Sequence, residues 1–232
     1  MLNSEVVQAR RSAGGTEPRL RRWRLILADD HKILLEGLRT ILDNSEFEVV
    51  ATVGDGRSLV TAAAALRPDL IVTDLSMPLL NGLDASRQIL RHDPRIKILM
   101  LSMHQNSSYA IDAWHAGVRG YILKTAESSE LIAAIRRVLD GQLCFEPEMT
   151  QAALNSARPR ENEAHDSRGS LTQRQREVLQ MLAEGKAPKE IAGILGISAR
   201  TVEFHKYRIM DSLGLHSVPE LAVYATKKGI VG

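Results

Sequence analysis

Four short apolar runs in the first half of the chain each end on a residue with chemical capacity. Leu25-Ile26-Leu27-Ala28 ends at Asp29-Asp30, Leu70-Ile71-Val72-Thr73 at Asp74, Ile98-Leu99-Met100-Leu101 at Ser102, and Tyr121-Ile122-Leu123 at Lys124. Continuous apolar runs of this length suit strands buried on both faces of a parallel sheet. The carboxyl ends of such strands share one edge, where open α/β sheets bind their ligands. Three carboxylates, a hydroxyl and an amine would converge there. That set can hold a divalent cation and place a phosphoryl group on an aspartate. Singly, an acidic pair is a common helix cap and a lone Asp before a turn a common Asx-turn. Four strand ends in order are what point to chemistry.

The elements between these ends alternate. Amphipathic stretches over His31 to Asp43, Ser58 to Leu66, Gly82 to Arg91, Ser108 to Ala116 and Ser129 to Leu139 read as helices, with Glu48 to Val53 as the second strand. Five strands alternating with five helices predict an α/β domain over residues 23–145. Right-handed crossovers favour a flavodoxin-like sheet of order 2-1-3-4-5. Strands one and three are then neighbours about 5 Å apart, so Asp29, Asp30 and Asp74 share a mouth.

The remainder differs. Residues 1–22 are polar, lack a hydrophobic period and carry net charge +3, and read as a disordered basic tail. Residues 146–169 hold few large apolar groups and read as a flexible linker. Residues 170–232 are helical in pattern and carry net +3. Thr172 and Gln175 form a capping box, and Gly185 closes that helix. Pro188 opens a short helix to Leu195, Gly196 makes a turn, and Ser198 caps a longer helix to about Leu213. A last helix runs from near Val218 to before Gly229. Short helix, glycine turn and longer helix make a helix-turn-helix, a small all-α domain whose second helix suits the major groove.

The 232 residues, 44% hydrophobic, suffice for two domains with real cores. No run approaches a membrane span and no apolar stretch follows the basic N-terminus, so neither membrane insertion nor secretion is expected. The single cysteine, Cys144, excludes an internal disulfide and fits the cytoplasm.

Asp29-Asp30, the segment from Asp74 through Pro78 to Gly82, Ser102, and Gly120 to Lys124 resemble the receiver domain of bacterial response regulators. Leu171 to Leu179, Lys189 to Ala192 and Ser198 to His205 resemble the LuxR-type helix-turn-helix. Together the chain resembles a NarL/FixJ-type response regulator, a DNA-binding transcription factor rather than an enzyme. The resemblance implies that Asp74 accepts a phosphoryl group from a sensor histidine kinase. It implies Mg²⁺ held directly by Asp30 and Asp74, through water by Asp29, and by the Ser76 backbone carbonyl. The metal would remove the repulsion between a carboxylate and an anionic donor. Lys124 would pair with the new phosphoryl group, and Ser102 and Tyr121 match the family's switch pair. Thr125 follows Lys124 where many receivers have proline, so no cis peptide is expected there.

On the longer helix, Val202, Ile209 and Leu213 share a face at about 100° per residue and should point inward. Arg200, Glu203, Phe204, Tyr207 and Arg208 fall on the far or flanking surface. Phe204 could meet a thymine methyl and Glu203 a cytosine amine. Arg200, Lys206 and Arg208 suit phosphates, and Thr201 and His205 contact the DNA backbone or brace the helix in relatives. Glu203 stands where some relatives carry a lysine. The expected partner is double-stranded DNA with paired half-sites, bound by a homodimer formed on phosphorylation or DNA binding. The unphosphorylated receiver is expected to mask the DNA-binding domain or its dimer surface. Two rivals are a Mg²⁺-dependent phosphohydrolase with an aspartyl nucleophile and a constitutive DNA-binding protein whose receiver only oligomerises. Adjacent Asp29 and Asp30, in place of an Asp-x-Asp motif, count against the first. The complete acidic set with Lys124 counts against the second.

Overall fold

A computed structural model describes residues 22–43, 46–103, 107–146 and 171–231 of the chain. Most of the expected tail and linker lies outside them. Five parallel strands form one sheet: β1 (Trp23–Ala28), β2 (Phe47–Val53), β3 (Leu70–Asp74), β4 (Lys97–Ser102) and β5 (Gly120–Leu123), in the order β2-β1-β3-β4-β5. Between and after them run α1 (Lys32–Asp43), α2 (Gly56–Leu66), α3 (Gly82–His92), α4 (Ser107–His115) and α5 (Ser128–Leu139). The expected sheet order and alternation are both present.

The apolar runs are buried on both faces because helices cover each side. Leu25, Leu27, Val72 and Leu99 join α1 and α5 in one core, built on Leu35, Leu38, Leu42, Leu131 and Ile135. Ile26, Ile71, Ile98 and Met100 join α2, α3 and α4 in the other. β1 starts at Trp23, earlier than the apolar run, because Trp23 pairs with Phe47, which is itself fully buried in the core. α2 starts at Gly56 rather than Ser58, since Asp55 caps it by accepting the Ser58 N–H.

Beyond α5 the chain returns to the sheet. Tyr121 N–H donates to the Cys144 carbonyl and Cys144 N–H to the Arg119 carbonyl, so this segment pairs in parallel along the free side of β5. Phe145 meets Trp114 of α4 edge-on at 5.4 Å.

The second domain comprises α6 (Gln173–Ala183), α7 (Pro188–Leu195), α8 (Ala199–Leu213) and α9 (Val218–Lys227). Its core joins Val178, Leu179, Ile191, Val202, Ile209, Leu221 and Ala225. The Thr172–Gln175 capping box forms as expected. Gly196 and Gly214 close α7 and α8 in the left-handed region, at φ 65° and 64°. α6 lies against the turn between β3 and α3. There the Arg176 guanidinium meets the Asp84 carboxylate at 2.8 Å and Gln88 Nε2 donates to Glu177 at 3.0 Å.

Candidate functional site

Sheet register assembles the site. Ala28 is level with Thr73, Asp74 with Leu101, and Ser102 with Leu123. The next residue of each strand therefore opens onto one mouth. Lys124 N–H donates to the Ser102 carbonyl, continuing the ladder one step. The turn after Asp74 is drawn tight: Gly82 N–H donates to the Leu75 carbonyl. A Cβ on Gly82 would lie 1.9 Å from the Asp74 carbonyl oxygen, so only glycine fits there.

Lys124 Nζ sits between two carboxylates, 2.7 Å from Asp29 Oδ2 and 2.9 Å from Asp74 Oδ2. All three side chains are at most 7% exposed. Burial works against the Lys124 charge, yet Asp29 and Asp74 hold its pKa above the usual lysine value. Burial also lifts the Asp74 carboxyl above the ordinary carboxylate range, while Lys124 and the Ser76 N–H pull it back. Asp30 is exposed at the rim.

His31 completes the cluster, and sequence reading missed it. Its Nδ1 lies 2.9 Å from Asp29 Oδ1 and 3.0 Å from Asp30 Oδ1, and its N–H donates to Asp29 Oδ1. The hydrogen bond to Asp29, then the Asp30 charge, raises its pKa. Ligand atoms of Asp29, Asp30, His31 and Asp74 all lie within 4.8 Å of one another, so the cluster could hold a metal. The only sequence signal for His31 was its position next to the acidic pair.

Ser102 is fully buried and Tyr121 3% exposed. Burial raises the Tyr121 phenol, and its hydrogen bond with Ser102 opposes the shift. The two expected switch residues are therefore in contact. The mouth, about 410 Å³, is lined by Asp30, His31, Asp74, Ser76, Lys124 and, from the second domain, Glu184 and Val231. Nothing local in the sequence links those last two to it.

On α8, Val202 and Ile209 are buried and Leu213 half-buried, as the helical period requires. Phe204 is 58% and Tyr207 65% exposed, and Arg200 and Arg208 also face solvent. The Arg208 guanidinium lies over the Phe204 ring at 5.7 Å. Lys206 pairs with Glu203 and lies over Tyr207 at 4.9 Å, so these two side chains neutralise each other. Thr201 Oγ1 shares a hydrogen bond with the capping Ser198 hydroxyl at 2.9 Å. His205 is partly buried, and its pKa is lowered by burial and by Arg174. The outer face of α8 is open, and the receiver meets this domain along α6 and where Gly229, beyond α9, approaches Tyr109 of α4.

Residues 25–136 match the response regulator receiver domain family, and residues 169–225 match the bacterial regulatory proteins of the luxR family. The oxygen regulatory protein NreC of Staphylococcus carnosus is 37% identical over 214 residues, 90% of this chain and 99% of that protein. A LuxR-family two-component response regulator from Aurantimonas sp. is 33% identical, with TM-score 0.53 over 58% of this chain and 96% of that one. RcsB from Salmonella enterica serovar Typhimurium, solved on the rprA promoter with phosphomimetic BeF₃⁻, is 27% identical. Its TM-score is 0.57 over 88% of this chain and 98% of that one. RcsB has also been solved as two dimers on two parallel DNAs (27% identity, TM-score 0.53, covering 88% of this chain and 98% of that one). The chain belongs to the NarL/FixJ-type response regulators, DNA-binding members of two-component systems that join a receiver to a LuxR-type helix-turn-helix domain.

Proposed function

We propose that Asp74 is the phosphoacceptor of a transcription regulator switched by a sensor histidine kinase. The observation that carries this is the Lys124 amine bridging Asp29 and Asp74 inside a mouth open to solvent. Transfer forms a bond from an Asp74 carboxylate oxygen to phosphorus and breaks the donor's N–P bond, the imidazole leaving with a proton. Burial strips water from the Asp74 carboxylate. Lys124, already held there as a cation, moves its charge onto the incoming phosphoryl oxygens. The Ser102 hydroxyl would donate to the same group, and Tyr121, hydrogen-bonded to it, would follow.

The oxygen-rich cluster fits a hard cation, and we assign Mg²⁺ to Asp29, Asp30, Asp74 and the Ser76 carbonyl. An ion held there would offset the charge on the transferring group. His31 braces Asp29 and Asp30 in the meantime. A donor must arrive through this mouth, and exposed Ile33 and Met103 beside it suit a protein donor such as the kinase.

Residues 23–145 act as receiver and 170–232 as reader of double-stranded DNA, with 1–22 and 146–169 as tail and linker. α8 enters the major groove. Phe204 faces base edges, Arg200, Tyr207 and Arg208 the phosphates, Thr201 and His205 the DNA backbone, and Glu203 a base edge and Lys206 a phosphate once their mutual ion pair opens. Exposed Val218 and Val223 on α9 suit a homodimer on paired half-sites. No helix among the described residues is long and apolar enough to cross a membrane, and a DNA partner implies the cytoplasm.

The test is treatment of the full chain with acetyl phosphate and Mg²⁺ followed by intact-mass measurement. One phosphoryl group should be gained by the wild type and none by Asp74→Asn. Equal labelling of both would remove Asp74 from the role.

A further inference from the structure

His31 brings an imidazole nitrogen into a cluster otherwise made of carboxylates, and phosphoryl transfer to Asp74 leaves that nitrogen without a task. Its backbone is fixed on both sides. The carbonyl accepts the Leu35 N–H at 3.2 Å, which opens α1, and the N–H donates to Asp29 Oδ1 at 2.9 Å. The side chain itself is 70% exposed, so burial does not hold the ring where it is. Even so, Nδ1 lies 2.9 Å from Asp29 Oδ1 and 3.0 Å from Asp30 Oδ1.

Those separations match a coordination shell. Around an octahedral ion with bonds of about 2.1 Å, adjacent ligands stand about 3 Å apart and opposite ones about 4.2 Å. Nδ1 therefore stands to both oxygens as an adjacent corner would. The ligand atoms of Asp29, Asp30, His31 and Asp74 all lie within 4.8 Å of one another, so small movements close them on one ion. Lys124 does not compete for the same atoms. It holds Oδ2 of Asp29 and Oδ2 of Asp74, and leaves Asp29 Oδ1 on the side of His31. Negative charge at the mouth also exceeds what one ammonium offsets. Glu184, which lines it, spends Oε1 on the Leu79 N–H and Gln180 Nε2, while its Oε2 is buried without a hydrogen bond.

We propose that His31 is a metal ligand of this site and makes it favour first-row transition ions over Mg²⁺. This rests on the reading of Asp29, Asp30 and Asp74 as a cation site. Mg²⁺ takes oxygen donors and keeps several waters, so the carboxylates and the Ser76 carbonyl serve it and the imidazole stays aside. Ions from Mn²⁺ towards Cu²⁺ accept imidazole with rising affinity. For them the ion replaces the proton on Nδ1, which leaves to solvent, and the hydrogen bonds to Asp29 and Asp30 give way to shared coordination. His31 thus sets which ion the site retains, and takes no part in the transfer itself.

The test titrates the full chain with Mg²⁺, Mn²⁺ and Co²⁺ by calorimetry, and reads the ligands of bound Mn²⁺ by pulsed EPR. His31→Gln keeps a polar side chain of similar reach at an exposed position but removes the imidazole. It should leave Mg²⁺ affinity within about 2-fold and weaken Mn²⁺ by about 10-fold or more, the scale of losing even a ligand's supporting partner. The loss should be larger for Co²⁺. Wild type should show imidazole nitrogen coupled to Mn²⁺, and His31→Gln should not. Asp30→Asn should weaken all three ions, which separates this site from histidines elsewhere. Equal losses for Mg²⁺, Mn²⁺ and Co²⁺ in His31→Gln, or a wild-type Mn²⁺ spectrum without nitrogen coupling, would overturn His31 as a ligand and leave the Mg²⁺ assignment standing. Binding of all three ions unaffected by Asp30→Asn would overturn the cation site and the role of His31 with it.

Discussion

Replacing Lys124 by methionine keeps the length of the side chain and removes its charge. Two carboxylates, 2% and 5% exposed, then face each other with no cation between them. Removing one partner of a buried ionic group costs about 3–5 kcal/mol. At a urea dependence of about 2 kcal/mol per molar, the unfolding midpoint of the receiver should fall by roughly 1.5–2.5 M in metal-free buffer at neutral pH. The pH dependence has a definite sign. Burial already places the Asp74 carboxyl above its ordinary 3.8. Such a group stabilises the fold while protonated, and its contribution fades as pH rises through the raised value. Loss of Lys124 widens that gap. The variant should therefore approach wild type near pH ~4, where protonation relieves the repulsion, and fall furthest behind it near neutrality. Mg²⁺ should restore part of the loss by binding only the folded form. Equal midpoints for Lys124→Met and wild type at neutral pH without metal would refute the ionic bridge.

Three other outcomes are expected. Gly82→Ala forces a methyl into the Asp74 carbonyl; it should lower receiver stability by at least ~2 kcal/mol in thermal or urea unfolding, and a neutral result would show that the turn relaxes freely. Phe204→Ala, at a site 58% exposed, should leave folding unchanged yet weaken binding to a selected DNA site, whereas Arg208→Ala should reduce the salt slope of binding by about 1; fluorescence anisotropy at several salt concentrations separates the two. His205 should titrate below the usual 6.5 by NMR, because burial disfavours its cation. The stability it contributes is present above that value and lost as pH falls through it, and titration at or above 6.5 would contradict the packing of α8.

The four strand ends were legible because each is a local pattern. An apolar run fixes a buried strand, and the parallel sheet brings residues as distant as Asp29 and Lys124 to one edge. The inward face of α8 was legible for the same reason, since Val202 and Ile209 obey a helical period. His31 was read only as a helix start, although its neighbours Asp29 and Asp30 made it reachable. Glu203 and Lys206, three apart on a helix, have the spacing of an ion pair; reading both toward DNA overlooked it. Gln180 and Glu184 were out of reach. They are polar positions on a helix whose own core is made by Val178, Leu179 and Leu182, and only the docking of α6 on a turn about 100 residues earlier gives them a partner. Charge and pattern say which faces are polar, not which of them meet.

The return of Cys144 and Phe145 to the β5 ladder has a consequence for self-association. A terminal strand with bare N–H and C=O groups is a template for another polypeptide, and proteins guard such borders against runaway cross-chain pairing. Here Arg119 and Tyr121 already spend their outward-facing backbone groups on Cys144. At Gly120 that border of the sheet is thus capped by the protein's own chain, and among the described residues β2 is the flank with no such partner. Any aggregation by strand addition should begin there, and charge placed along β2 should suppress it.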